Sequence, residues 1–196
     1  MNFLELTGLA AGASFASGLN LYATVAVLGL LHRYEFVTLP ASLEVLANPV
    51  VLVVASALYL VEFIADKIPY VDNVWDVVHA FIRPPAAAVL VYSAFAGVPD
   101  EWRIAAGLLA GGIAIVSHGA KASTRAAVNA SPEPISNWVL SVFEDALAIG
   151  LSWMAITHPA VTLAVVIVLL AFAIYLLTRL FKFLRWGIGR LRAPLT

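Results

Sequence analysis

Six mainly apolar stretches alternate with shorter polar segments along the chain. They cover residues 3–31, 50–68, 86–98, 104–116, 137–156 and 160–177. A helix needs about 20 apolar residues to cross the hydrocarbon core of a bilayer, and most of these stretches approach that length. The pattern predicts an all-α, polytopic membrane protein of about six transmembrane helices, folded as a single domain over residues 1–178.

Small and polar residues interrupt the first apolar stretch. Ser17, Gly18 and Asn20 lie near its middle. Residues of this kind are common where transmembrane helices approach each other closely, and a Gly/Ser pair is a frequent site of helix bending. We therefore expect a bend near Ser17 and Gly18. Asn20 is expected either to line a pathway or to form a hydrogen bond to another helix.

A helical pattern of polar residues lies between the second and third stretches. Asp72, Asp76, His79 and Arg83 follow at i, i+4, i+7 and i+11, which places them on one face of a helix over residues 72–83. The other face is largely apolar, so the segment is predicted to be a short amphipathic helix at the membrane interface. Its polar face is expected to be solvated, with Asp72 as the N-cap. Alternatively, Asp72, Asp76 and His79 bind a metal ion.

The composition agrees with a membrane protein. Hydrophobic residues make up 62% of the 196 residues, charged residues 12%, and the mean hydropathy is +0.95. Soluble domains carry about 25% charged residues, so the charge content argues against that class. The formal net charge of −1 gives no reason to expect nucleic acid as a partner. The lack of cysteine excludes disulfides, cysteine-ligated clusters and thiol catalysis.

The C-terminal segment, residues 179–196, is predicted to be a basic cytoplasmic tail. Segments rich in Lys and Arg stay on the cytoplasmic side of a membrane, where they suit anionic lipids. Counting back through six spans places the N-terminus in the cytoplasm as well. The first residues have no basic region typical of a signal peptide, so the first helix is expected to be a retained anchor. The basic residues of the tail are Arg179, Lys182, Arg185, Arg190 and Arg192.

Six spans divide into two sets of three, residues 1–98 and 104–178. An odd number of spans in each half gives the halves opposite orientations, as in inverted-repeat transporters. Residues 17–20 show a loose similarity to residues 118–121. Because short matches are frequent in apolar sequences, the sequence is equally compatible with no internal duplication.

Four carboxylates fall within the second and fifth apolar stretches. Glu62 and Glu144 lie at matching positions in these stretches, roughly 10–12 Å below the cytoplasmic interface at 1.5 Å per residue. Asp66 lies one helical turn from Glu62, and Asp145 follows Glu144. Ionisable groups at this depth cost about 3 kcal/mol or more unless they are paired or hydrated, so they typically face a cavity.

Two interpretations of these carboxylates remain open. In the first, they bind a cation or exchange protons, because carboxylate oxygens suit hard cations and adjacent carboxylates share protons. In the second, Glu62 and Glu144 pair with Lys67, Lys121 or Arg125 and only hold the helices together.

A basic, hydroxyl-bearing segment follows the fourth stretch. His118, Lys121 and Arg125, together with Arg83, are the residue types that bind an anion or a lipid headgroup. The alternative is a positively charged cytoplasmic loop without a ligand. The sequence lacks a phosphate-binding loop, a nucleophile elbow, a zinc-protease motif and a dinucleotide fingerprint, which disfavours an enzyme.

Three segments carry a resemblance to a known family. They are GLNLYAT (residues 18–24), YLVEFIADKIPYVDNVWDVVHAFIRPPAAAVL (59–90) and SHGAKASTRAAVNASPEPISNWVLSVFEDALAIG (117–150). In these segments the chain resembles the bacterial membrane proteins grouped as domain of unknown function 4126. The resemblance implies an integral membrane protein, and it supplies no activity or catalytic residues. We expect the protein in the inner membrane.

The leading expectation is a small transporter or channel-like protein for an ion or small solute. Its site is expected to include Glu62, Asp66, Glu144, Asp145 and Asn20, with a cation or proton as the bound species. The alternatives are a membrane enzyme or binding protein acting on a lipid headgroup or phosphate, and a scaffold that helps assemble other membrane proteins. Homo-oligomerisation is left open.

Overall fold

All elements of the computed structural model are helical within the residues it describes, which confirms the predicted fold class. The description covers residues 1–68, 70–129 and 134–191, and side chains up to residue 185 except those of residues 134 and 184. The tail side chains Arg190 and Arg192 lie outside the described residues. The elements are α1 (Phe3–Arg33), a 3-10 helix (Ala41–Ala47), α2 (Pro49–Ala65), α3 (Val71–His79), α4 (Arg83–Ala94), α5 (Asp100–Asn129), α6 (Pro134–Thr157) and α7 (Pro159–Leu191).

Four to six of these elements are candidates for crossing a membrane. α1, α5, Ile135–Thr157 and Pro159–Phe183 are each long and apolar enough. Two bent pairs also qualify: the 3-10 helix with α2, at 63°, and α3 with α4, at 43°. The count among the described residues agrees with the prediction of about six spans, and the chain is an integral membrane protein.

The helix α1 folds back on itself at Asn20. The backbone of Asn20 is extended, with φ −151° and ψ 100°, whereas the residues on either side are helical. An unbroken helix of 31 residues would be about 46 Å long. Instead, Met1 and Phe36, from the two ends of α1, line the same cavity, and Leu9 and Leu28 belong to one core cluster. The predicted bend near Ser17 and Gly18 is thus a reversal of the chain two residues further on.

The first half of α1 runs alongside α5. Gly18 packs so closely against α5 that an added Cβ would overlap the Ser117 hydroxyl and the Ala114 carbonyl oxygen. Towards its other end, Phe3 lines a groove together with Pro99 and Trp102, at the start of α5. The two segments therefore run in the same direction, and only glycine fits at their closest approach.

Met1 and the later part of α7 lie at opposite ends of the bundle. We call the end that holds Met1 the N-terminal end; it also holds the turns before the 3-10 helix and between α6 and α7. The helix α7 starts there, since Pro159 packs against Gly8, and Leu177 in its later part faces Gly119 of α5. Met1 and the described end of α7 therefore lie at opposite ends of the bundle, and the arrangement with both termini in the cytoplasm stays a prediction.

The helix α3 turns its polar face inward. Asp72, Asp76 and His79 are almost completely buried, while Val74 and Val77 on the other face are exposed. The expectation that the polar stripe is solvated is wrong. Asp72 is also not the N-cap, a position occupied by Tyr70, which makes no capping hydrogen bond through its side chain. In a membrane protein, the apolar face of such a helix contacts lipid and its polar face points to the protein interior.

The fold-back leads to a prediction about topology. Since the chain has no cysteine, single cysteines at Asn2, Thr38 and Lys182 serve as unique labelling sites. We expect Asn2→Cys and Thr38→Cys to react with a membrane-impermeant maleimide from the same side, and Lys182→Cys from the opposite side. Labelling of Asn2→Cys from the same side as Lys182→Cys, in intact and inverted vesicles, would contradict the fold-back.

Candidate functional site

The reversal of α1 lies at the centre of a buried group of charged side chains. This group, which we call the charged cluster, consists of six carboxylates and three bases that are each at most 5% exposed. The carboxylates are Glu62, Asp66, Asp72, Asp76, Glu144 and Asp145; the bases are Arg83, Lys121 and Arg125. Five helices, α2 to α6, supply these side chains, and α1 supplies the backbone around which they gather.

The carbonyl groups at the reversal of α1 bind two of the bases. The Gly18 carbonyl accepts a hydrogen bond from Arg83 Nη1 at 3.0 Å, and the Leu19 carbonyl accepts one from Lys121 Nζ at 2.9 Å. Carbonyl groups at the end of a helix have no partner within the helix and carry the negative end of its dipole. The two cations satisfy both requirements.

Asn20 connects the reversal to α6. Its Oδ1 accepts a hydrogen bond from the Ala23 backbone at 2.9 Å, which caps the second half of α1. Its Nδ2 donates to Asp145 Oδ1 at 2.8 Å. The structure thus brings together Asn20 and Asp145, which the sequence analysis assigned to one site from different parts of the chain.

The guanidinium group of Arg83 contacts residues of four other helices. It is the first residue of α4 and is completely buried. Its Nη2 donates to Glu62 Oε1 of α2 at 2.7 Å, and its Nη1 donates to His118 Nδ1 of α5 at 2.8 Å. Asp76 Oδ1 of α3 lies 3.7 Å from the same Nη1. With the bond to Gly18, Arg83 therefore holds α1, α2 and α5 against the start of α4, and it also faces α3.

Lys121 and Arg125, one helical turn apart on α5, bind the other carboxylates. Lys121 Nζ lies 3.0 Å from Asp66 Oδ2 and 3.3 Å from Glu62 Oε1. Arg125 Nη2 lies 2.9 Å from the same oxygen of Asp66, and Arg125 Nε donates to Glu144 Oε2 at 3.0 Å. Glu62 and Glu144, which depth counting placed at one level, are thus joined through Asp66.

Asp72 is held by amide side chains that the sequence analysis did not single out. Asn129 Nδ2 donates to Asp72 Oδ2 at 2.7 Å, and Asn137 Nδ2 lies 3.4 Å from the same oxygen. Asn129 ends α5, and Asn137 is in the first turn of α6. In the sequence, these two asparagines flank a polar connection next to apolar helices. That pattern alone does not identify Asp72 as their partner.

Two buried histidines beside the charged cluster, His79 and His118, have a defined tautomer when neutral. A backbone carbonyl only accepts, so His79 Nδ1, 2.8 Å from the Trp75 carbonyl, carries the hydrogen, and His79 Nε2 accepts from the Tyr22 hydroxyl at 3.0 Å. By the same reasoning His118 donates through Nε2 to the Asp76 carbonyl at 3.0 Å, and its Nδ1 accepts from Arg83. Because Arg83 only donates, its bond fixes the His118 ring as neutral, whereas the Tyr22 hydroxyl can either donate to or accept from His79 Nε2.

The charged cluster has more negative than positive side chains. Its carboxylates outnumber its buried bases by three. Within the described part of the chain, several buried carboxylate oxygens also have no hydrogen-bond partner: Glu62 Oε2, Asp66 Oδ1, both Asp76 oxygens and Asp145 Oδ2. A buried charge without a partner costs several kcal/mol, and a buried acceptor without a donor costs about 1–3 kcal/mol. The cluster is therefore suited to binding protons or a donor-rich cation.

Lys67 lies at the edge of the cluster, just after α2. Its ammonium group donates to the Phe63 carbonyl at 3.0 Å and to Ser141 Oγ at 3.3 Å. Partial burial lowers the pKa of Lys67, and the negative charges of Asp145 and Asp66 oppose that shift. Lys67 pairs with neither Glu62 nor Glu144, the two partners considered from sequence.

The predicted anion site and the predicted metal site compare differently with the structure. The four predicted anion-binding residues, Arg83, His118, Lys121 and Arg125, do come together, but carboxylates and carbonyl oxygens already occupy most of their donors, with Arg83 Nε left unpartnered among the described residues. Among the described residues, no group of three or more His, Asp or Glu side chains is arranged to hold a metal ion. The predicted metal site at Asp72, Asp76 and His79 thus has no support in the geometry.

Two apolar grooves lie between the helices outside the cluster. The α1–α4–α5 groove has a volume of about 600 Å³ and includes Phe3, Trp102 and Leu109. The α1–α2–α4 groove has a volume of about 650 Å³ and includes Tyr22, Val54 and Val89. Neither is lined by a charged residue of the cluster, which is closed to solvent in this conformation.

Comparison with known proteins identifies a family. The family model described as domain of unknown function (DUF4126) matches residues 7–179. No curated protein matches the chain, and no solved structure matches it.

Removal of Arg83 is predicted to destabilise the protein strongly. Arg83→Met leaves Glu62 buried without its closest cation and the Gly18 carbonyl without a donor. Loss of one partner of a buried ion pair typically costs about 3–5 kcal/mol, and Arg83→Lys should recover part of that because it restores the charge but not the planar fork. The measurement is the free energy of unfolding in mixed micelles.

The matched control is Arg103→Met at the N-terminal end. Arg103 pairs with the exposed Asp100 at 2.9 Å, and exposed pairs contribute about 1 kcal/mol or less. If Arg83→Met and Arg103→Met were equally stable, Arg83 would not hold the helices together.

Proposed function

The chain belongs to the DUF4126 family, and we propose that it is a small transporter whose charged cluster binds and releases protons during transport of a solute. The observation that carries the proposal is the surplus of three carboxylates over buried bases in the charged cluster. At membrane depth an uncompensated charge is expensive. Binding of protons to these carboxylates removes that cost. Release of the protons restores the cost, which couples proton release to a change of conformation.

The folded-back α1 supports the same proposal. Interrupted helices in transporters place backbone carbonyls and helix ends at the substrate or coupling-ion site, near the middle of the bilayer. Here the reversal exposes the Gly18 and Leu19 carbonyls at the end of one half-helix, and Asn20 caps the next. A rotation of either half of α1 would break bonds to Arg83, Lys121 and Asp145 together, so movement and charge are linked.

Two kinds of carboxylate have different parts in this proposal. Glu62, Asp66 and Glu144 are bound to bases and hold the cluster together. Asp145 bonds to the neutral amide of Asn20, and one of its oxygens has no partner. Asp145 is therefore the carboxylate best placed to bind a proton without disrupting an ion pair.

The orientation in the membrane is part of the proposal. The basic residues Arg179, Lys182 and Arg185 on α7 favour a cytoplasmic C-terminal end, where they contact anionic lipids of a bacterial inner membrane. The N-terminal end then faces the periplasm, and the charged cluster lies nearer the cytoplasm. A single polypeptide suffices for the cluster, since all its members come from one chain.

A substitution at Asp145 tests the proposal. Asp145→Asn keeps an oxygen that accepts from Asn20 but removes the charge, and no ion pair is lost. In proteoliposomes loaded with a pH-sensitive dye and exposed to a panel of ion and pH gradients, we expect the wild-type protein to move protons. The variant should move them at least about tenfold more slowly, the effect of about 1.4 kcal/mol, at unchanged stability.

Asp100→Asn is the control, because Asp100 is exposed at the N-terminal end and far from the cluster. It should retain wild-type proton flux. Proton flux in Asp145→Asn equal to that of the wild type would exclude Asp145 as the coupling group. A wild-type protein that moves no ion under any gradient would favour the scaffold alternative.

A further inference from the structure

The α1–α2–α4 groove is an apolar recess open to the lipid. It lies between the second half of α1, the 3-10 helix, α2 and α4, and its lining is almost entirely apolar. Val54 and Val89, which line it from opposite sides, are more than half exposed. Its volume of about 650 Å³ is within the range of about 300–1,000 Å³ found for small-molecule sites.

One part of the groove borders the charged cluster through a single aromatic ring. The Tyr22 ring lines the groove, and its hydroxyl bonds to His79 Nε2 at 3.0 Å. Glu62 and Arg83 both act electrostatically on that hydroxyl, with opposite charge, and Glu62 Oε2 is buried without a hydrogen-bond partner among the described residues. The charged cluster, with its surplus of carboxylates, therefore lies behind the aromatic wall of the groove.

We propose that this groove binds an amphiphile with a cationic head, a quaternary or protonated amine. The head lies against the Tyr22 ring, and the tail follows α2 and α4 along the groove. An aromatic face attracts a cation, and carboxylates of the cluster that have released their protons add to that attraction because the surrounding dielectric constant is low. An anionic head gains neither contribution at the same place.

The size of the groove fits a medium-length alkyl tail. The groove extends along α4 from Pro85 to Ser93, which corresponds to about 12 Å of helix. At Ser93, the Ser42 Oγ donates a hydrogen bond to the Ser93 carbonyl, and both residues line the groove. A decyl chain matches that length, so the probe is decyltrimethylammonium.

This inference names a cationic amphiphile as the substrate class of the proposed function. Only the claim that the amphiphile is transported rests on that function. Binding is measured without any gradient, with radiolabelled decyltrimethylammonium and purified protein in nanodiscs of zwitterionic lipid. Empty nanodiscs give the correction for partition into lipid. We expect saturable binding that excess unlabelled probe abolishes and that decyl sulfate and decanol do not.

Two pairs of variants locate the site. Val89→Trp fills the α1–α2–α4 groove and should abolish saturable binding, whereas Leu109→Trp, at an equally exposed position in the α1–α4–α5 groove, should not. Tyr22→Phe keeps the aromatic face and should bind within about threefold of the wild type. Tyr22→Leu should bind about three- to thirtyfold more weakly, the range of a cation–π contact.

Several outcomes would overturn the inference. Competition by decyl sulfate or decanol would show that the groove takes any apolar chain. Equal effects of Val89→Trp and Leu109→Trp would place the site elsewhere, and equal affinities of Tyr22→Phe and Tyr22→Leu would exclude the ring. Saturable binding without proton flux in proteoliposomes would contradict the proposed function and leave this site standing. Proton flux without saturable binding would support the proposed function and contradict this site.

Discussion

The structure depends on how a membrane protein keeps charged groups away from lipid. The nine side chains of the charged cluster are buried together at the reversal of α1, and six of them are acidic. Each charge left unpaired at that depth would cost several kcal/mol. The chain meets this constraint by bringing charged side chains of five helices together. Three bases pair there with carboxylates, and two backbone carbonyls bind bases. The remaining surplus of negative charge is the feature that gives the cluster a chemical use.

The same constraint explains the shape of the bundle. Arg83 has its position at the start of α4 because Pro84 and Pro85 follow it, and prolines are tolerated in the first turn of a helix. From there it reaches α1, α2 and α5. Gly18 allows α1 to lie against α5 closely enough for its carbonyl to meet Arg83. A conformational change that moves one helix must therefore re-pair several charges, which favours two discrete states over gradual deformation.

Some of this architecture follows from the sequence and some does not. The helices and the membrane class follow from long apolar runs, and counting residues from the span ends correctly placed Glu62 and Glu144 in one region. The reversal at Asn20 does not follow, because both halves of α1 are apolar and rich in small residues, and a bent single crossing has the same pattern. The periodicity of residues 72–83 identified the polar face of α3 but not its direction, since lipid reverses the rule that polar faces point outward.

The pairing of charges is the part that sequence reasoning could least supply. Arg83 was assigned to an anion or headgroup site, yet its partner is Glu62, 21 residues earlier. Lys121 and Arg125 were considered as partners of Glu62 and Glu144, and they are, through contacts that also involve Asp66. Which base meets which carboxylate depends on how the helices pack, and local spacing carries no information about that. The hydrogen bonds from two asparagine side chains to Asp72 could not be predicted for the same reason.

Infrared spectroscopy of the protein in lipid tests the central claim most directly, namely that bound protons neutralise surplus carboxylates of the charged cluster. A protonated carboxylic acid has a carbonyl stretching band well separated from that of a carboxylate, and the band shifts in deuterated water. We expect such a band at neutral pH in the wild type and a weaker one in Asp145→Asn. A wild-type spectrum at neutral pH that contains only carboxylate bands would contradict the account.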